Sequence, residues 1–436
     1  MNIKDKLREL ERVPRPLKTG MPKPRLDRLQ QLLGGFEQDG CFVVERRHAL
    51  HEPYGSTRLA DLLDLSGAVL SIAAKDEQLN EVALAQTLIV DTETTGLAGG
   101  AGTLAFLVGL GYFESDSFVV RQYFLRQPHE ESAMLTALQR HVAQSRGLIS
   151  FNGKSFDIPL LLTRTVLNRI RIDLASLPHF DVLHASRRLW KARLQDCSLG
   201  NLEHRILGIQ RAEDVPSALI PQIYFDFVRY GKTEQLAEVL AHNRQDIVTT
   251  AALLVRIGQI VQAPFKFSGS REELRQIGKL YREAGELDTS IKLFEELALR
   301  RREDDALDDY LALGFCYKSQ RRYEEANRIW QHMIEFLPFH PLPFIEIAKH
   351  LEHRQRDQRA ALAIVHRALH AISLVEELQR QKNWMIYKDD LLRREGRLRK
   401  KREAATVKSA TGLTHMNTVN ANETSEANSG SAREIN

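Results

Sequence analysis

The sequence predicts an α/β domain, a mixed sheet with flanking helices, followed by an all-α region of helical repeats. Three observations predict it. Between residues 86 and 125, three apolar, β-branched runs follow one another with short links, the pattern of an antiparallel meander. From 129 to 207, strand-like runs alternate with helical spacing, which adds strands and covering helices. Beyond 270 the strand signals stop and helix pairs recur at a fixed period.

Size and composition bound the rest. A chain of 436 residues is long enough for two or three domains. With 43% hydrophobic and 27% charged residues it has an ordinary globular composition. The net charge of +4 permits a polyanionic partner without requiring one. Cys41, Cys197 and Cys316 form no C-x-x-C pair, which points to a reducing compartment and away from a thiolate zinc site. No apolar core follows the charged start, and no apolar stretch reaches the ~20 residues of a membrane span, so no membrane association and a cytoplasmic location are expected.

Taken in order, residues 1–40 are rich in Lys, Arg and Pro and read as a flexible basic arm with a short helix near Arg25–Gly34. Residues 41–85 read as a lead-in region packed on the main domain, starting with a strand at Cys41–Glu45. The main domain is expected over 86–262. Its strands are 86–91, Thr103–Phe113, Ser117–Leu125, Gly147–Phe151 and a strand end at His179–Val182. Its helices are His129–Gln144, Phe156–Leu167, His184–Arg193, Ser198–Leu207, short pieces within Pro216–Gly231, and one or two long helices over Glu234–Val261.

Ala263–Ser270 reads as a linker. Gly278, Tyr281 and Phe294 then recur as Gly314, Tyr317 and Trp330, with a weaker copy at Ala348, Leu351 and Ile364. The period is close to the tetratricopeptide length, so 271–375 is expected to hold tetratricopeptide-like repeats, a candidate surface for a protein partner. A charged helix over 376–405 and a disordered tail over 406–436 complete the chain.

Three stretches carry candidate chemistry. In Asp91-Thr92-Glu93-Thr94-Thr95-Gly96-Leu97, Asp91 and Glu93 share one face at the end of a buried strand. Two dehydrated carboxylates side by side repel each other, a cost that a bound divalent cation removes; the competing interpretation is an ordinary polar strand end followed by a turn. In Asn152–Asp157 an acid follows a Gly turn at the start of a helix, where a helix-dipole role alone would also account for it. In His242–Asp246 a His and an Asp one turn apart share a helix face.

In their order, D-x-E-T-T-G-L, N-x-x-x-F-D and H-x-x-x-D resemble the three motifs of the DEDD superfamily of 3′→5′ exonucleases on a ribonuclease H-like fold, within a YprB-like bacterial subgroup. Supporting segments are Phe180–His184, Cys197–Gly208 and Pro221–Tyr224. The third motif departs from the superfamily pattern, since His242 precedes Asp246 by three intervening residues where that pattern has four, or a Tyr with three.

The resemblance implies that Asp91, Glu93, Asp157 and Asp246 hold two Mg²⁺ or Mn²⁺ ions, for which oxygen ligands are suited. It implies that His242 orients or deprotonates the attacking water. It also places Thr94 and Leu97 against the terminal nucleotide and Asn152 beside the site. Lys154, Arg187 and Arg188, with Lys191 and Arg193, are the candidate phosphate contacts. The expected substrate is a DNA or RNA end. A non-catalytic nucleic-acid scaffold recruiting partners through the repeats and a structure-specific endonuclease are the competing readings.

Overall fold

The computed structural model describes residues 26–96, 102–211, 214–299, 306–378 and 384–404, which divide between two compact units, Met1–Gln276 and Ile277–Asn436. Most of the arm and the whole tail, Leu97 and most of the Gly-rich turn lie outside the described residues.

The first unit is organised by a seven-stranded sheet. After a helix at Leu26–Leu33 come β1 (Phe36–Gln38) and β2 (Cys41–Ala49). A small separate hairpin, β3 (Pro53–Tyr54) and β4 (Thr57–Arg58), follows. The remaining strands are β5 (Thr87–Thr94), β6 (Ala105–Glu114), β7 (Ser117–Phe124), β8 (Gly147–Ser150) and β9 (His179–Asp181). Their order across the sheet is β1-β2-β7-β6-β5-β8-β9. The β1 to β5 side is antiparallel throughout, and β8 and β9 add parallel to β5, so the sheet is mixed as the sequence predicts.

The N-terminal expectations need correction. The part of the presumed flexible arm that is described, 26–40, is folded: besides the expected short helix it forms the edge strand β1. The presumed lead-in also contributes to the sheet itself. Strand β2 pairs with β7 from Phe42↔Phe124 to Ala49↔Ser117, and Cys41, Phe42, Val43 and Val44 are buried. The apolar first half of β2 covers sheet edge that β7 would otherwise leave open.

Alternation along β5 sorts its residues between faces. Leu88 and Val90 join a core with Phe106, Leu135, Leu138 and Tyr224, in which the Phe106 and Tyr224 rings stack at 4.1 Å. Ile89, Asp91 and Glu93 face the other way, toward one continuous helix, Leu236–Gln262, which lies across β5, β6 and β7. That helix is buried along most of its length, which explains its near-continuous apolar sequence. The expected helix over Ser198–Leu207 is present as a short α-helix, Leu199–Leu202, continued by a π-helical turn at Glu203–Leu207. The expected linker contains a four-residue helix, Pro264–Phe267.

Among its described residues the second unit is all-helical. Its helices are Leu287–Leu299, Ala306–Ser319, Tyr323–Phe336, Pro341–His350 and Gln358–Leu378, after the remainder of Arg271–Glu283. A further helix spans 385–404, and residues 376–378 belong to the preceding helix, so the charged helix starts later than the expected 376. The recurring small residues lie where helices meet. A Cβ on Gly278 would touch the Phe294 ring at 3.0 Å, and one on Gly314 would come within 2.3 Å of Trp330. Left-handed residues at Gly285, Arg321 and Arg356 close the turns at nearly the same spacing. The basic helix is anchored by Leu391 and Leu398 in the core, and Arg394, Arg397 and Lys401 converge on buried Glu352.

Candidate active site

The carboxylates singled out from sequence come from three elements that meet beside the end of β5. Asp91 and Glu93 alternate with Thr92 on the strand. Asp157 is the first residue of the helix Asp157–Leu167. Asp246 and His242 lie on the Leu236–Gln262 helix.

A hydrogen-bonded loop positions Asp157. Asn152 adopts a left-handed backbone (φ 66°), and its N–H donates to Asp181 Oδ1 at 2.9 Å. The Lys154 N–H donates to the other Asp181 oxygen at 3.2 Å. Asp157 Oδ1 then accepts from the Thr92 N–H at 3.0 Å and from the Thr92 hydroxyl at 2.5 Å, which ties the helix start to β5. Asp181, in one of the supporting segments, thus orders the loop and stands behind the site.

The long helix reaches the strand because β6 is bare at the crossing. Asp91 pairs with Gly109, and a Cβ on Gly109 would lie 2.3 Å from Asn243 Oδ1. One on Gly111 would lie 2.5 Å from Ile247. With both side chains absent, Asn243 Nδ2 donates to Asp91 Oδ2 at 2.7 Å. The Asn243 Oδ1 accepts from Gln122 Nε2 at 2.7 Å, which fixes the orientation of the amide.

Burial and mutual repulsion disfavour ionisation here. Asp91 is raised well above the usual carboxylate range, first by burial and then by Asp246, Asp157 and Glu93. Burial, then Asp246 and Asp157, push Glu93 up to about 8. Burial pushes Asp157 up to about 6 against its hydrogen bonds from Thr92. Asp246 is also raised by burial, opposed by His242 and Arg211. The four acids therefore sense one another's charge, as a shared cation site requires.

Two residues that sequence reasoning missed supply countercharge and orientation. Arg211 Nη2 lies 2.5 Å from Asp246 Oδ1, and its Nη1 lies 2.8 Å from Asp214 Oδ2. The Asp214 carboxyl is held below its usual range by His242 and Arg211, which outweigh burial, and so is ionised at neutral pH. Its Oδ1 lies 2.6 Å from His242 Nδ1 and must accept the Nδ1 proton. The other ring nitrogen, His242 Nε2, faces the acids, 3.4 Å from Asp246 Oδ2 and 3.9 Å from Glu93 Oε1. Arg211 and Asp214 stand in an irregular segment with no periodic signal. Asn243 was legible only as the neighbour of His242.

The remaining candidates divide. Thr94 and Asn152 line a cleft of about 240 Å³ with Asp91, Glu93 and Asp157. Lys154 is exposed, with its Nζ 3.8 Å from Asp76. Arg187 is exposed and lines a neighbouring groove, whereas Arg188 is half-buried and donates to the Ala73 carbonyl at 3.3 Å. Leu97 is outside the described residues.

The donor set fits a hard divalent cation, because it offers carboxylate oxygens in a buried cleft without a cysteine or histidine cluster. Among the described residues no three acids or histidines are drawn into a closed ligand cage. The hydrogen-bond partners of three of the acids account for this: Asp246 is turned to Arg211, Asp157 to Thr92 and Asp91 to Asn243.

Comparison with known proteins agrees with this architecture. The family profile described as the RNase_H superfamily matches residues 88–257, the span that contains all four acids. The chain is also 32% identical over 356 residues to the uncharacterized protein YprB of Bacillus subtilis (strain 168), covering 80% of this chain and 84% of that protein. The chain belongs to the same family as YprB, and its sheet domain is a member of the RNase_H superfamily.

Proposed function

We propose that this protein is a metal-dependent 3′→5′ exonuclease of the DEDD type that hydrolyses phosphodiester bonds at nucleic-acid ends. The observation that carries the proposal is the convergence of four acids: Asp91, Glu93 and Asp157 line one cleft, and Asp246 stands beside it, linked to Glu93 through the Nε2 of His242. Asp91, Glu93, Asp157 and Asp246 would hold Mg²⁺ or Mn²⁺, two ions in all, which when bound stabilise charge on the attacking and leaving oxygens of a phosphoryl transfer.

The chain's own residues do the rest. Asp214 keeps the Nδ1 proton on His242, so Nε2 takes a proton from water or orients it. Asn243 holds Asp91 in place through its amide. Thr94 and Asn152 flank the terminal nucleotide from the cleft wall, with Leu97 assigned to the same nucleotide by motif. Arg211 neutralises Asp246, and a cation held by Asp246 would take over that role. The tetratricopeptide-like helix pairs are the proposed site for a protein partner. The buried free thiols of Cys41, Cys197 and Cys316 accord with a cytoplasmic setting, and no helix among the described residues is long and apolar enough to cross a membrane.

The test is incubation of the full chain and Mg²⁺ with a 5′-labelled single strand. Stepwise loss of mononucleotides from the 3′ end is expected, and Asp91→Ala should abolish it while retaining strand binding. Internal cuts would favour an endonuclease, and binding without cleavage a scaffold; either overturns the proposal.

A further inference from the structure

The cations of the helix Val182–Leu194 fall into two groups. Arg188 is tied to the Ala73 carbonyl, and Arg193 Nη2 lies 2.9 Å from Glu273 Oε1. Arg187 and Lys191, one turn apart, are exposed, and among the described residues neither has a carboxylate ion-pair partner. Both line a groove of about 500 Å³ whose other wall includes Phe151 and Asn152. Phe151 and Asn152 also line the carboxylate cleft, so groove and cleft share a wall. Asp196 on the groove rim is turned onto Ser198, whose N–H and hydroxyl both donate to it at 2.8 Å.

A second observation lies in the cleft. Phe156, next to Asp157, is 59% exposed and lines the same space as the acids. A large aromatic face left in water beside a charged centre lacks an apolar partner. Unpaired bases have π-faces available for such a surface, whereas those inside a duplex are already stacked.

We propose that this groove is the track for a single-stranded polynucleotide whose 3′ end occupies the cleft. Arg187 and Lys191 take phosphates upstream of the bond that is cut, and Phe151 and Phe156 provide faces for unpaired bases. The proposal rests on the nuclease reading and adds the substrate class: a single strand or a 3′ overhang.

The experiment measures binding of the full chain to fluorescein-labelled dT₁₂ and rU₁₂ in EDTA across a salt series, together with KM for oligonucleotides of increasing length in Mg²⁺. For single strands the salt slope changes by about 0.7 per phosphate contact, so Arg187→Ala/Lys191→Ala should lower it by about 1.4 and weaken binding about tenfold. The KM penalty should grow with strand length. A charge-retaining swap, Arg187→Lys/Lys191→Arg, should restore most of the affinity. An unaltered salt slope, an equal penalty on dinucleotide and 12-mer, or blunt duplex binding as tight as single strand would each overturn the track. If wild type cleaves normally but these changes fail to appear, only the track falls; if wild type cleaves no substrate, the nuclease reading falls with it.

Discussion

Gly109 and Asn243 meet at the crossing of β6 and the long helix, where a single added Cβ would stand 2.3 Å from the Asn243 amide oxygen. The same Asn243 donates to Asp91, so the glycine sets the distance between helix and strand at the candidate site. Gly109→Ala should push the helix away and cost about 1–3 kcal/mol by overpacking. A shift near 1 Å at the reacting groups costs about 10²-fold in rate. Urea unfolding and cleavage kinetics on one preparation check this; near wild-type kcat in a folded variant would contradict it.

The raised acids make a pH prediction. Glu93 titrates near 4.5 when unfolded and at about 8 when folded, so over that window the folded state binds more protons than the unfolded state. Stability of the metal-free protein should therefore fall as pH rises through this window, with Asp157 adding to the fall between 3.8 and about 6. Thermal unfolding in EDTA from pH 5 to 8 should show a declining Tm. Glu93→Gln should flatten the decline, and Mg²⁺ should offset it. A Tm that rises over this range, in wild type and Glu93→Gln alike, would show that these acids do not repel one another as described.

Asp214 predicts an orientation effect. Asp214→Asn removes the carboxylate that accepts the His242 Nδ1 proton and one partner of Arg211. Losing an outer partner of this kind typically costs about 10–100-fold. The loss should fall on kcat with KM little altered, read from steady-state cleavage of a single strand. A change confined to KM would place Asp214 in substrate binding instead.

In the helical unit, Gly314 faces the Trp330 ring at a distance no real Cβ tolerates. Gly314→Ala should destabilise this unit by about 1–3 kcal/mol despite its better intrinsic helix propensity. Urea unfolding of the full chain, followed by Trp fluorescence, checks the sign. A gain in stability would mean that the helix pair is looser than described.

What the sequence disclosed depended on range. Asp91 with Glu93, and His242 with Asp246, were legible because strand and helix periods alone put each pair on one face. The mixed sheet was legible from the change between a strand meander and strand–helix alternation. The sheet role of Cys41–Ala49 was not, because its partner strand begins at Ser117 and pairs as far as Phe124, and no local pattern encodes so distant a pairing. Asn243 needed the bare surface at Gly109 to acquire a meaning. Arg211 and Asp214 have irregular backbone and become readable only through what they touch. Arg188 looked equivalent to Arg187 in sequence, yet one helix position separates a packed guanidinium from an exposed one.

The most direct measurement of the central claim is anomalous diffraction from a crystal of the full chain soaked in Mn²⁺. The account predicts strong peaks bounded by Asp91, Glu93, Asp157 and Asp246, with Arg211 withdrawn from Asp246. Mn²⁺ ordered elsewhere, with Asp246 still paired to Arg211 and no peak among these four side chains, would contradict it.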